Sequence, residues 1–222
     1  MNFVNQDSSP FRRRWWHPLW YRFMMRASLA WFFGPCRGRI EGEDAMLRLL
    51  PTGFILAANH ASYLDWMVLH ALFHHRYRAS LVFVAKNALY RHRLWAPLIT
   101  ESHSVRVADD GASILDRAGF RELRRAPLIG IFPEGTRSHD GRPGPAHSGA
   151  ASMAARFGKP VVPASLSGFF RTWPRHRVFP RPASCAITFG QAIEIPRECR
   201  HDQALAAEHT LEIMRRIAAN IE

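Results

Sequence analysis

The sequence predicts an α/β domain built on a mostly parallel mixed sheet flanked by helices, with an amphipathic helical segment at its N-terminal end. Three observations lead there. Six short apolar runs recur along the chain, and longer amphipathic stretches separate them. Strands divided by helical segments favour a parallel sheet covered on both faces. The 222 residues, 47% of them hydrophobic, suffice for one sizeable core, and the sequence shows neither an internal repeat nor a linker long enough to divide it.

The first segment, residues 1–38, stands apart from the remaining domain, 39–222, by composition. Residues 12–39 hold seven arginines, no acidic residue and four of the seven tryptophans. The longest charge-free run, Ala27 to Cys36, has ten residues, against roughly 20 for a bilayer span, and the pattern is not that of a cleavable signal peptide. On a helical wheel Arg22 and Arg26 share a narrow face, while Trp16, Trp20, Phe23, Met24, Trp31 and Phe32 cover much of the rest. Such a helix suits the headgroup layer of an anionic membrane, with its rings at the interface and its arginines on phosphates. The plainer alternative is an ordinary helix packed on the domain.

The strand candidates that follow are "GFILAAN" (53–59), "SLVFVA" (80–85), "HSVRVA" (103–108), "PLIGIF" (127–132), "PVVPASL" (160–166) and "ASCAITFG" (183–190). Helices fit at 64–75, 111–125, 148–158 and 202–220, and "RTWPRHRVFPRP" (171–182) reads as an exposed loop. A formal net charge of +12 points to an anionic partner: nucleic acid, a membrane surface or a phosphorylated substrate. No helix-turn-helix, zinc-finger or RNP signature supports nucleic acid, which is not expected as a partner. Cys36, Cys185 and Cys199 are too few and scattered for a disulfide framework, so a reducing compartment is the simpler inference and no chemistry is assigned to them.

Two strand exits carry the chemistry-bearing residues. In "ILAANHASYLDW" (55–66), His60 and Asp65 are five positions apart, about 140° around a helix, so they share no helical face. They meet only if His60 lies in the loop and Asp65 in the first helical turn. A bland reading competes, because Ser62-x-x-Asp65 is a variant capping box. In "GIFPEGTRS" (130–138), the backbone N–H groups around Gly135, the Arg137 guanidinium and the Thr136 and Ser138 hydroxyls suit an anion cradle. Its alternative is a surface turn with a solvated arginine. His70 and His74 are four apart on the helix expected at 64–75, but no Glu partner accompanies them, so a polar helix face is the better reading and no metal site is expected. No GxSxG elbow and no P-loop occur.

The blocks "NHASYLD" (59–65), "FPEGTRS" (132–138) and "VVPASL" (161–166), in that order, resemble the glycerolipid acyltransferase family typified by 1-acylglycerol-3-phosphate acyltransferase. "VAKNALY" (84–90), with one of only two lysines, Lys86, resembles a further family segment. The resemblance implies a membrane-associated acyltransferase, peripheral or monotopic on the cytoplasmic face of the cell membrane. Its expected partners are an anionic membrane surface, a lysophospholipid acceptor, and acyl-CoA or acyl carrier protein as co-substrate, with no other cofactor. It implies His60 as general base, Asp65 as the residue holding the imidazole, and Arg106, Glu134, Gly135, Thr136 and Arg137 as the acceptor-binding set. "TESHSVRVADDG" (100–111) departs from the family pattern at His103 and Ser104, and "GPAHSG" (144–149) lacks a common lysine. Those departures leave room for another acceptor, such as lyso-ornithine lipid. A non-catalytic basic protein binding lipid or nucleic acid is the reading from a different class.

Overall fold

In the computed structural model, residues 16–86, 90, 95–107 and 117–221 are described, apart from the side chains of Lys86, Val107 and Arg117. Arg12, Arg13 and Arg14, residues 87–89 of "VAKNALY", and the first part of the helix expected at 111–125 lie outside them. In chain order the elements are α1 (His17–Phe33), β1 (Arg39–Glu41), α2 (Glu43–Leu49), β2 (Phe54–Ala58), α3 (Leu64–His75), β3 (Leu81–Lys86), α4 (Trp95–Glu101) and β4 (Val105–Val107). Then come α5 (Arg117–Arg125), β5 (Leu128–Ile131), α6 (Gly149–Phe157), β6 (Val161–Ser167), α7 (Phe169–Thr172), β7 (Ala186–Phe189) and α8 (Gln203–Ala218).

The seven strands form one sheet in the order β1-β7-β6-β2-β5-β3-β4. Pairing is parallel throughout except between β6 and β7, so β1 and β7 run against the other five. All six expected strands form. The seventh, β1, was not expected: it is three residues long, and its "RIE" pattern carries too little apolar signal to mark a strand before its partner β7 is known. The short helices α2, α4 and α7 were likewise not expected, being near or below the length at which periodicity becomes readable.

Alternate residues of β2 feed two cores. Phe54, Leu56 and Ala58 pack with Met25 and Phe32 of α1, Met46 of α2 and the buried face of α3. Ile55 and Ala57 pack with Leu123 of α5, the alanines of α6, and Ile213 and Ile217 of α8. The result is three layers with the sheet in the middle. The helix after β2 therefore covers one face and the helix after β5 the other. In such a sheet the ends of two adjacent strands whose connections part in this way border a crevice. β2 and β5 are adjacent and in register, Ala57 opposite Ile131, so residues following Ala58 and Ile131 emerge side by side.

α1 packs on α3 and α4, and its inward side buries His17, Met25, Ser28 and Phe32, with Trp20, Met24 and Trp31 packed against the same core, so of the six residues expected at a membrane interface Phe23 alone is exposed. His70 is a correction to the expected polar helix face: it is buried on α3, against α1. The Tyr21 hydroxyl donates to His70 Nε2, and His70 Nδ1 donates to the Leu81 carbonyl at 3.1 Å. Burial pushes the imidazole down to about 4 and the Tyr21 phenol up to about 12, so the pair is a neutral link between helix layers. Among the described residues no helix is long and apolar enough to cross a membrane.

The unfolded chain gains a proton on His70 as pH drops below the ordinary 6.5, whereas the folded protein resists it to about 4. Stability contributed by the neutral imidazole is thus complete above about pH 6.5 and lost on acidification through the window to about pH 4, by up to about 3 kcal/mol. Urea midpoints measured across this window should fall more steeply for the native protein than for His70→Gln, which cannot titrate there.

Candidate active site

The site begins where β2 ends. Asn59 is buried, and its side chain continues the sheet: Nδ2 donates to the Leu166 carbonyl at 3.2 Å and Oδ1 accepts from the Leu166 N–H at 2.7 Å. It thereby replaces one residue's worth of ladder to β6 and frees the backbone to turn. His60 follows in the loop, and Asp65 lies in the first turn of α3, as the spacing argument requires.

One carboxylate oxygen organises the turn. Asp65 Oδ2 accepts from the Ala61 N–H at 2.6 Å, the Ser62 N–H at 2.8 Å and His60 Nδ1 at 2.8 Å. Asp65 therefore secures both the chain entering the helix and the imidazole, although the capping box itself is only half made, by the bond from the Ser62 N–H. Ser62 is not the helix cap that its position suggests. The N-cap is Tyr63, and Ser62 Oγ accepts from the Leu64 N–H at 3.1 Å while donating to the Trp173 carbonyl at 3.0 Å. An ionised carboxylate only accepts, so Nδ1 carries the hydrogen and Nε2 the free lone pair. Asp65 is fully buried, whereas the His60 side chain remains 18% exposed.

The imidazole also has a floor. Its ring stacks on Phe132 with centroids 4.2 Å apart and planes 15° apart, and Phe132 stacks on Phe83 at 5.5 Å. Gly130 makes the column possible: a Cβ there would sit 2.5 Å from the Phe83 ring. The aromatic face beneath the imidazole sets the plane in which its ring lies.

The second motif is joined to the first through the backbone of His60. The His60 N–H donates to Glu134 Oε1 at 2.8 Å, and the His60 carbonyl accepts from the Ser138 N–H at 2.7 Å. Glu134 Oε2 accepts from the Gly144 N–H at 2.9 Å. A buried carboxylate in an intended anion site thus faces backbone donors, and burial raises its pKa against the pull of those bonds. Gly135 adopts a left-handed φ of 63° in the turn, and its N–H is already bonded to the Phe132 carbonyl at 2.9 Å, so it is not a free donor for the expected cradle. Ser138 is buried, its hydroxyl donating within its own loop to the Arg142 carbonyl at 2.7 Å. Gly135 and Thr136 are exposed.

Arg137 is the cation of the site. Its guanidinium carbon lies 3.5 Å from the centroid of the Tyr63 ring, within the first motif, and its Nη1 is buried without a hydrogen-bond partner. An orphaned charged donor held flat on an aromatic ring suits a phosphate oxygen. Tyr63 also stacks on Trp95 at 5.1 Å and meets Trp173 at 5.2 Å. Arg106 sits apart on β4, its guanidinium 4.1 Å from the Tyr90 ring. Three strand steps separate β4 from β2, about 14 Å at the usual spacing. The structure therefore brings His60, Asp65, Glu134 and Arg137 together and leaves Arg106 at the far side of the same sheet end.

Sequence reasoning did not assign roles to Asn59, Tyr63, Phe83, Gly130 or Gly144. The signal for Tyr63 and Phe132 was their presence inside the two motifs; Phe83 and Gly144 carried none.

This arrangement, a carboxylate-held imidazole tied to an arginine-bearing loop at adjacent parallel strand ends, has the geometry of a general-base site with a cation beside it. The chain belongs to the Acyltransferase family, whose profile matches residues 39–167. Among curated relatives, the chloroplastic 1-acyl-sn-glycerol-3-phosphate acyltransferase BAT2 of Brassica napus is 32% identical over 126 residues, 55% of this chain and 35% of that protein. The chloroplastic LPAT1 of Arabidopsis thaliana, of the same activity by name, is 30% identical over 169 residues, 74% of this chain and 44% of that protein. The chain thus spans less than half the length of these relatives. The crystal structure of PlsC, the 1-acyl-sn-glycerophosphate acyltransferase of Thermotoga maritima, superposes with a TM-score of 0.67 over 90% of this chain and 77% of that one, at 23% identity, and shares the fold.

Glu134→Ala should cost about 1–3 kcal/mol by leaving two backbone donors unpaired, with faster hydrogen exchange at the His60 and Gly144 amides as the site-specific readout.

Proposed function

We propose that the chain moves a fatty acyl group from acyl-CoA or acyl carrier protein to the free hydroxyl of a lysophospholipid, with 1-acylglycerol-3-phosphate as the acceptor and phosphatidate as the product. The observation that carries this reading is the pair of hydrogen bonds by which the His60 backbone is tied to the 132–138 loop, its N–H to the Glu134 carboxylate and its carbonyl to the Ser138 N–H, which supports pairing a base with a guanidinium.

In the proposed reaction His60 Nε2 takes the proton of the acceptor hydroxyl while that oxygen attacks the thioester carbonyl carbon. Asp65 keeps the Nδ1 hydrogen in place and stabilises the imidazolium. Collapse of the tetrahedral intermediate breaks the carbon–sulfur bond, and the imidazolium proton goes to the departing thiolate. The protein needs no covalent acyl intermediate for this route. Arg137 Nη1 is the proposed phosphate donor, and the hydroxyl of Thr136, exposed and adjacent in the chain, a second. Glu134 acts through the loop it holds, and Arg106 would reach only a distal part of the acceptor.

The outward face of α1 supports docking on an anionic membrane surface. Leu19 and Phe23 are exposed beside Arg22 and Arg26, and with Ala27 and Ala30 they line an open groove of about 470 Å³. The inward face of the same helix is built into the core, so α1 serves both as a packed helix and, in this proposal, as a surface for headgroups. The proposed location is peripheral or monotopic at the cytoplasmic face of a membrane.

Purified protein with lysophosphatidate and labelled acyl-CoA should form phosphatidate. His60→Ala should lower kcat by about 10²–10⁴ while the variant remains folded by circular dichroism, and undiminished turnover in that variant would remove the base. A parallel panel with lyso-ornithine lipid decides the acceptor, and absence of turnover on every acceptor favours a non-catalytic binding protein. In vesicle sedimentation, Leu19→Ser with Phe23→Ser should weaken binding to phosphatidylglycerol vesicles about tenfold, leaving turnover of a soluble acceptor unchanged.

A further inference from the structure

The loop after α7 displays the two most exposed large apolar side chains among the described residues. Val178 and Phe179 are adjacent, 76% and 77% exposed, at the tip of "WPRHRVFPRP" (173–182). Exposed Arg175 and Arg181 and half-buried Arg177 surround them, and no acidic residue occurs between Asp140 and Glu194.

The tip is held out by bonding at its base. The Arg181 N–H donates to the Thr172 carbonyl at 3.0 Å and its Nε to the Arg171 carbonyl at 2.9 Å, closing the loop. The Trp173 indole N–H is shared between the Arg177 and Val178 carbonyls, each at 3.1 Å. Pro174, Pro180 and Pro182 restrict the backbone further. The loop is also braced on both motifs. The Trp173 carbonyl accepts from Ser62 Oγ at 3.0 Å and from the Tyr63 N–H at 3.1 Å, while the Arg175 guanidinium donates to His139 Nε2 at 2.6 Å, one residue past "FPEGTRS".

We propose that residues 173–182 are a second membrane contact, at the rim of the site, which inserts Val178 and Phe179 into the acyl boundary of an anionic leaflet while the surrounding arginines engage lipid phosphates. A basic loop alone would suit any polyanion, but an acidic carrier protein would use the arginines and leave the apolar pair in water. A leaflet satisfies both. The placement has a consequence for the acceptor, and here the inference rests on the acyl-transfer reading: a lysolipid can offer its headgroup to His60 while its chain stays in the bilayer.

The native cysteines are buried, so a Phe179→Cys variant of the full chain can take an environment-sensitive fluorophore at the tip. With vesicles of phosphatidylcholine and phosphatidylglycerol the emission should rise and shift to the blue, and lipids brominated in their acyl chains should quench it. Val178→Ser with Phe179→Ser should lower partitioning about tenfold or more. The double variant should keep turnover of a short-chain, water-soluble lysophosphatidate and lose turnover of the bilayer-embedded acceptor. Fluorescence that ignores vesicles, or that responds only to acyl carrier protein, overturns the proposal. Failure of the wild type on every acceptor defeats the acyl-transfer reading alone, because the fluorescence and partitioning measurements need no turnover.

Discussion

The structure of the site depends on where Asp65 Oδ2 finds its three donors. Two are backbone N–H groups that form only if the chain turns sharply after Asn59, and the third is the imidazole. The same bonds therefore start α3, set the tautomer of His60 and bury a charge that would otherwise be costly to desolvate. Asn59 and Ser62 extend the constraint outward, to β6 and to Trp173 respectively. A histidine with this many dependencies on its own backbone has little freedom to drift.

The anion side is built by a different logic. Its loop follows a neighbouring strand, and its carboxylate turns inward to backbone donors, leaving Arg137 with a buried donor that has no hydrogen-bond partner. Glu134 and Arg137 are three positions apart in sequence yet opposite in duty. One is buried and bonded to the backbone; the other has an unspent donor over an aromatic ring. The sheet makes the meeting of the two loops unavoidable, since β2 and β5 are adjacent although two strands intervene in the sequence.

Much of this was legible in the sequence. Period and length revealed six strands and the longer helices, and the impossibility of a shared helical face placed His60 in a loop and Asp65 in the first turn. What stayed hidden depended on neighbours distant in sequence. β1 needed β7 to be a strand. His70 reads as polar surface until Tyr21 and Leu81 close around it. Cys36 and Cys185 seem unrelated along the chain, yet the Cys185 N–H donates to the Cys36 carbonyl at 3.1 Å. Gly135 looked like a free donor because a turn's internal hydrogen bond cannot be seen in its residue types.

The ring column of Phe83, Phe132 and His60 joins the interior to the chemistry in a way ordinary cores do not. Phe83 belongs to the buried side of β3, and a missing side chain at Gly130 lets it press upward. A trimmed ring at Phe83 or an added methyl at Gly130 would thus disturb the surface on which the imidazole lies as well as the packing of the sheet. Substitution in this part of the interior is consequently constrained by the loop above it as well as by the core around it.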